Sequence, residues 1–335
     1  MQPSDITLLT AYSHDYTVGK LCASVNRCYA ESKGYGFLCE EFDCDVVSAL
    51  ITPKLHFTWY KVYLLLAVMK ELVSERVEEG RCGYLMWIDA DALVVDNTQH
   101  LESLIYEANY HDLIIAEDMH VGNLLNAGIF LLKVNDWSVH FLQDVYGHTK
   151  YNTVPFYEQS AMIHVLKRYK ERVLCRPPQP FHTYITGCMD VKFGRHIAIF
   201  PTCRLNSNEG VDKADVEHYS TLNGTPINSN TAIEMTHESN NDSSNLLSPT
   251  SLSSSPKIFI FHAAGMKNKL GHLKAAIHKY HVQYDKSSVD IHTMVFAPIR
   301  NTLGHYSQEV LDLHRKYPRK IRGGLKEDRG GAVVT

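Results

Sequence analysis

Apolar residues along this chain fall into short continuous runs that alternate with stretches of helical spacing. Ile6-Thr7-Leu8-Leu9-Thr10 opens near the N-terminus as a buried first strand, and Val18 to Glu31 reads as a helix. Trp59, Val62, Tyr63, Leu66, Met69, Lys70 and Val73 follow i, i+3, i+4, i+7 spacing, which predicts a second helix. Tyr84 to Ile88 is an apolar strand that stops at Asp89. Asp112 to Ala116 and Gly128 to Val134 are further strands. Asp136 to Tyr146 and Glu158 to Tyr169 carry helical periodicity, the latter through Met162, Val165, Leu166 and Tyr169. Strands alternating with helices predict an α/β fold whose mostly parallel sheet is covered on both faces.

The pattern breaks at Asn206. From there to Pro256, 24 of 51 residues are Ser, Asn or Thr, too little apolar surface to offset chain entropy. The segment reads as a disordered insertion. Its two glycosylation sequons, at Asn223 and Asn241, carry little weight in so Asn/Ser-rich a tract. Pattern resumes with a strand over Lys257 to Phe261 and a helix through Leu270, Leu273, Ile277 and Tyr280. The expected organisation is one domain from 1–205 and 257–284, the insertion 206–256, and a partly helical C-terminal extension 285–335 with a flexible end. No repeat of twenty to fifty residues is visible.

Composition narrows the function classes. The chain has 335 residues, 44% hydrophobic and 21% charged, with a formal charge of −4. It has no basic excess of the kind a nucleic-acid binder carries. The longest apolar run, Val62 to Met69, is far short of a membrane span of roughly twenty residues. No secretory signal is readable at the N-terminus. Eight cysteines are widely spaced without a CxxC pair, which argues against a zinc knuckle. Four of them lie between Cys22 and Cys44, where two local disulfides and buried free thiols are both open readings.

The strongest chemical signal is Leu85-Met86-Trp87-Ile88-Asp89-Ala90-Asp91. An apolar strand delivers two carboxylates to its carboxyl end, the edge where open α/β sheets bind ligands. Carboxylates that close repel unless a cation sits between them. Mg²⁺ and Mn²⁺ take such oxygen ligands and bridge to substrate phosphates. The bland alternative is a pair of turn residues, but Leu93-Val94-Val95 resume the apolar pattern, and a solvated charged face would not do so. Three weaker candidates accompany it. His262 ends the last strand and suits a metal as an imidazole ligand, with Lys267 five residues on as a charge for a phosphate; the alternative is a core histidine. Asn126, before Ala127 and Gly128, either meets a sugar hydroxyl or closes a turn. Glu158 and Gln159, at a helix start, are either catalytic or satisfy amide donors.

Taken in order, these segments resemble a known family. The set is Leu9-Thr10-Ala11, Tyr29-Ala30 with Gly34-Tyr35, Trp59-Tyr60-Lys61, Trp87-Ile88-Asp89-Ala90-Asp91, Asn126-Ala127-Gly128, Glu158-Gln159-Ser160 and His262-Ala263-Ala264-Gly265. It is similar to glycosyltransferase family 34, the galactosyl-, mannosyl- and xylosyltransferases, over residues 5–205 and 257–282. The resemblance implies a GT-A (Rossmann-like) nucleotide-diphospho-sugar transferase fold. It implies retaining, α-linkage-forming transfer of a hexose or pentose to a glycan acceptor with Mn²⁺, Mg²⁺ being the alternative. UDP-galactose, UDP-xylose and GDP-mannose fit equally as donors. Asp89, Asp91 and His262 match metal ligands. Thr10, Ala11, Lys61, Asp89, Asn126, Ala127, Gly265 and Lys267 match donor- or substrate-binding positions, and Gln159, Glu158 and Lys267 match catalytic ones. Family members are Golgi type II membrane proteins that work as homo- or hetero-oligomers, yet this chain shows no anchor.

Two other readings compete. A non-catalytic subunit of a glycan-synthesising complex would be free to lose the metal motif. A nucleotidyltransferase would want a Gly-rich or basic loop after the first strand, and Thr10-Ala11-Tyr12-Ser13 is neither. If the last strand docks beside the strand ending at Asp89, His262 and Lys267 come to the carboxylate pair together.

Overall fold

In the computed structural model, the described residues are 1–44, 47, 55–79, 82–118, 124–171, 190–207, 216, 258–282 and 284. The expected extension 285–335 and nearly all of the insertion 206–256 lie outside them, as do both sequons. Strand β1 (Ile6–Ser13) leads into helix α1 (Thr17–Lys33), β2 (Gly36–Phe42) and α2 (Trp59–Glu79). Then come β3 (Tyr84–Ile88), β4 (Ala92–Val94), α3 (Leu101–Glu107), β5 (Leu113–Ala116) and β6 (Asn126–Lys133). Helices α4 (Asp136–Gly147) and α5 (Tyr157–Arg168) follow, then β7 (Lys192–Phe193), β8 (Ile197–Phe200), α6 (Thr202–Leu205), β9 (Ile260–His262) and α7 (Lys269–Lys279).

Seven strands form one sheet in the order β2-β1-β3-β6-β5-β8-β7. Strands β2, β1, β3, β5 and β8 run one way and β6 and β7 the other, so most strands of the sheet share one direction, as the alternation of strands and helices predicts. The period of two along each strand sends alternate side chains to opposite faces. Leu85 and Trp87 of β3 join a core with α2, α4 and α5. Tyr84, Met86 and Ile88 join another with Tyr29 and Ala30 of α1 and Leu101, Leu104 and Ile105 of α3. Helix α2 is apolar beyond its amphipathic stripe, and every residue from Trp59 to Met69 is buried, as a helix hydrophobic all round should be. Gly34, in the left-handed region at φ 75°, ends α1 and lets the chain turn back into β2.

Two expectations need correction. The last strand begins at Ile260, and it pairs antiparallel with β4 rather than lying beside β3, with His262 opposite Ala92. The reason lies in β3, which already has β1 and β6 on its two edges. The first two residues assigned to the insertion also belong to the packed structure. Asn206 and Ser207 are buried, and Ser207 is bonded into β9, donating its amide to the Ile260 carbonyl and accepting from His262 N at 2.7 Å. Among the described cysteines, Cys22, Cys28, Cys39, Cys44, Cys82 and Cys203 are free thiols, so no local disulfide joins the four between 22 and 44.

Candidate active site

The site stands where β3 ends. Asp89 N donates to Gly128 O at 2.8 Å, so the carboxyl end of β3 is pinned to the start of β6. The turn through Ala90 then brings Asp91 round to β4, where Asp91 O accepts from Ala263 N at 2.9 Å. β9 lies along β4, so its last residue, His262, comes to the same point. Ligand atoms of Asp89, Asp91 and His262 all lie within 4.8 Å of one another. Two carboxylates and one imidazole make a donor set that could hold a divalent cation.

Neighbouring groups orient each ligand. His262 Nδ1 lies 2.7 Å from the side-chain oxygen of Asn206, which makes Nδ1 the protonated donor and leaves Nε2 facing Asp91 Oδ1 at 3.1 Å. Asp89 Oδ1 accepts from Trp87 Nε1 at 2.6 Å and lies 2.9 Å from Lys61 Nζ, while its Oδ2 faces His262. Lys269 Nζ sits 2.5 Å from Asp91 Oδ2. Burial opposes charge on Asp91, but His262 and Lys269 outweigh it and hold the carboxyl well below the usual carboxylate range. Burial also works against the His262 cation, and Asp91 and then Asp89 overcome it, raising the pKa.

A second cluster adjoins the first through Lys61. Its buried ammonium is shared among Asp89 Oδ1, Glu158 Oε1 at 3.2 Å and the Ala127 carbonyl at 2.9 Å. Burial disfavours this charge, yet Asp89 and Glu158 hold the pKa above the ordinary lysine value. The Gln159 side-chain oxygen accepts from Ala127 N at 2.9 Å, and its Nε2 donates to Asp118 Oδ2 at 3.0 Å. Glu158 and Gln159 lie in the first turn of α5, directly after Phe156 and Tyr157, whose φ values of 64° and 36° lie in the left-handed region that favours glycine.

No family model matches the chain, and no curated protein does. Solved structures that resemble it include glycosyltransferases. One is a glycosyltransferase involved in the glycosylation of the major capsid of PBCV-1, 15% identical over 59% of this chain and 82% of that one, with a TM-score of 0.38. Another is the glycosyltransferase GlyE of Streptococcus pneumoniae, 14% identical over 91% of this chain and 64% of that one, with a TM-score of 0.40. This chain thus spans just under two thirds of GlyE's length. A third is the galactosyltransferase LgtC in complex with donor and acceptor sugar analogues, 10% identical over 84% and 98% of the two chains, with a TM-score of 0.39. Backbone overlap of that depth does not specify an activity, which depends on side chains.

Of the residues picked from sequence, Lys61, Asp89, Asp91, Ala127, Glu158, Gln159 and His262 form one connected network. Thr10 is buried and Ala11 half-buried on β1, whose Leu9 pairs with Trp87, so both continue toward the edge where Asp89 stands. Asn126 closes its own turn, its Oδ1 accepting from Gly128 N at 2.8 Å. Gly265 takes φ 71°, and a β-carbon there would meet nothing within 4 Å, so the requirement for glycine is conformational. Lys267 is exposed, and the lysine beside Asp91 is Lys269. Asp118, Asn206 and Lys269 are the site residues that sequence reading misses. Asp118 stands just past β5 as Asp89 stands just past β3, a signal that was there to find. Asn206 has no local signal. Among the described residues, no helix is long and apolar enough to cross a membrane.

Proposed function

We propose that this protein is a metal-dependent, retaining glycosyltransferase that moves a hexose or pentose from a nucleotide-diphospho-sugar to a glycan acceptor, forming an α-linkage. The observation that carries the reading is the Asp89–Asp91–His262 cluster joined through Lys61 to Glu158. A divalent ion held there, Mn²⁺ or Mg²⁺, supplies Lewis acidity to a leaving diphosphate. Asp89, Asp91 and His262 would hold the ion. Lys269 lies beside Asp91, and Lys267 is the lysine that the resemblance assigns to the diphosphate; both offer positive charge as the leaving group forms.

In the reaction, the bond between the anomeric carbon and the diphosphate oxygen breaks, and a bond from the acceptor oxygen to that carbon forms. The acceptor's proton passes to the departing phosphate on the same face. Gln159 favours this route over a covalent intermediate, because an amide is a poor nucleophile and its oxygen and nitrogen are both bonded within the protein. Glu158 is the carboxylate available for a two-step route, but it is ion-paired to Lys61. Thr10, Ala11, Asn126, Ala127 and Gly265 would line the donor. UDP-galactose, UDP-xylose and GDP-mannose remain equivalent donors, and the resemblance points to a Golgi setting and to partnership with related transferases.

The test is a screen of purified protein with Mn²⁺ or Mg²⁺ against those three donors, with release of nucleoside diphosphate as the readout. The expected result is turnover of one donor that EDTA abolishes. Turnover of none, with either metal, would refute the reading. A non-catalytic subunit would be free to lose the Asp89–Asp91–His262 cluster, and this chain keeps all three residues together.

A further inference from the structure

Two short segments feed the second cluster, and both carry exposed aromatic rings. Phe57 precedes α2, four residues ahead of Lys61, and is 55% exposed. Phe156 precedes α5, two residues ahead of Glu158, and is 43% exposed, with Val154 nearby in the chain at 38%. The segments are tied together, His56 N donating to Asn152 Oδ1 at 2.6 Å. The His56 ring lies parallel to Tyr157, with centroids 4.2 Å apart and planes 6° apart, and rests against Phe57 at the same centroid distance. Here the usual arrangement is inverted. The charged Lys61 and Glu158 are buried while the neighbouring rings face solvent.

The backbone adds a second, independent observation. Phe156 and Tyr157 both adopt left-handed φ values, a costly choice for residues bearing large side chains. Such strain persists only where surrounding contacts over-determine it, and it clusters at ligand clamps.

We propose that Phe57 and Phe156, braced by the His56–Tyr157 stack, form the platform on which a pyranose ring of the glycan acceptor rests. A pyranose has one face lined by C–H groups and a rim of hydroxyls. Its apolar face matches an exposed aromatic ring, and its hydroxyl rim stays in water. The ligand's identity rests on the glycosyl-transfer reading. That reaction needs two substrates, and with the donor's phosphates at the metal cluster, the two aromatic segments, which run into Lys61 and Glu158, are the place for the acceptor.

Fluorophenylalanine incorporated throughout the full chain labels both rings, and Phe57→Leu and Phe156→Leu assign their fluorine signals while keeping apolar bulk without a ring. The labelled protein is titrated with cellohexaose, mannohexaose and lactose, separately with UDP or GDP plus Mn²⁺, and by dilution. The expected result is that at least one oligosaccharide moves both signals. Each leucine variant should then bind that oligosaccharide about tenfold more weakly, the loss of one aromatic contact, while nucleotide binding persists. The proposal is overturned if no oligosaccharide moves either signal, or if the signals move only on dilution, which marks a self-association face. Failure of both nucleotides to bind with Mn²⁺ would instead sink the glycosyl-transfer reading, whether or not the rings respond to sugar.

Discussion

Gly128 and His262 share one small space. A β-carbon on Gly128 would stand 2.3 Å from His262 Cε1 and 2.8 Å from Nδ1, closer than real atoms approach. The same glycine accepts the amide of Asp89, so it supports two of the three clustered ligands. Only a hydrogen atom leaves room for the imidazole beside the start of β6.

Gly128→Ala should therefore displace His262 while leaving most of the fold intact. Mn²⁺ affinity should fall by about 10–100-fold, the usual cost of disturbing a ligand's support. Calorimetric titration of Mn²⁺ with UDP or GDP present checks it, and unchanged affinity would show that the histidine is not a ligand.

Asn206→Ala removes the acceptor that orients His262 Nδ1. The loss in Mn²⁺ affinity should be of similar size, about 10–100-fold, with Asn206→Asp recovering part of it because a carboxylate also accepts from Nδ1. If Asn206 were only packing, the aspartate variant would be no better than the alanine.

Lys61→Met leaves Asp89 and Glu158 without their shared cation. Breaking a buried pair from one side costs about 3–5 kcal/mol, so the urea midpoint should drop steeply. Adding Glu158→Gln to the same chain should recover part of the loss, because one stranded carboxylate is then removed. A double variant less stable than Lys61→Met alone would contradict the charge account.

The pH dependence has two opposite signs. The His262 pKa is raised above its ordinary value of 6.5, so its ion-paired form contributes stability that is fully present below about 6.5 and lost as pH climbs through the raised folded value. Metal ligation requires Nε2 without its proton, so Mn²⁺ affinity should rise across that same interval. Thermal melts in EDTA and in Mn²⁺, from about pH 6 upward, should converge at low pH and separate at high pH. Parallel curves would remove His262 from the metal site.

Burial pushes the Cys39 thiol up to about 12 and raises that of Cys22 well above its usual value. Cys44 and Cys82 are exposed. A thiol reagent at neutral pH should label Cys44 and Cys82 in the folded protein and reach Cys22 and Cys39 only after denaturation. Peptide mapping by mass spectrometry reads this directly.

The sequence by itself determined what depends on neighbours within a few residues. Continuous apolar runs marked β1 and β3, because a central strand is buried on both faces, and the 3.6-residue period marked α2 and α5, because a helix buries one stripe. The apolar run stopping at Asp89 placed two carboxylates at a strand's carboxyl end, and the run stopping at His262 did the same for the imidazole. Strand β2, with Glu40 and Glu41 interrupting its apolar pattern, and the two-residue β7 left no comparable trace. Only the tertiary structure decided which ends meet. Sheet order put antiparallel β6 against β3, and β9 on β4, across separations that no local pattern encodes. It turned Asn206 from the first residue of a polar tract into the partner of His262. It also chose between two lysines: the left-handed turn at Gly265 and the Asn268 cap of α7 carry Lys269, not Lys267, onto Asp91. Charges two residues apart are equivalent in sequence. Their positions differ only because the backbone between them has a shape, and that shape is held by packing from elements far away in the chain.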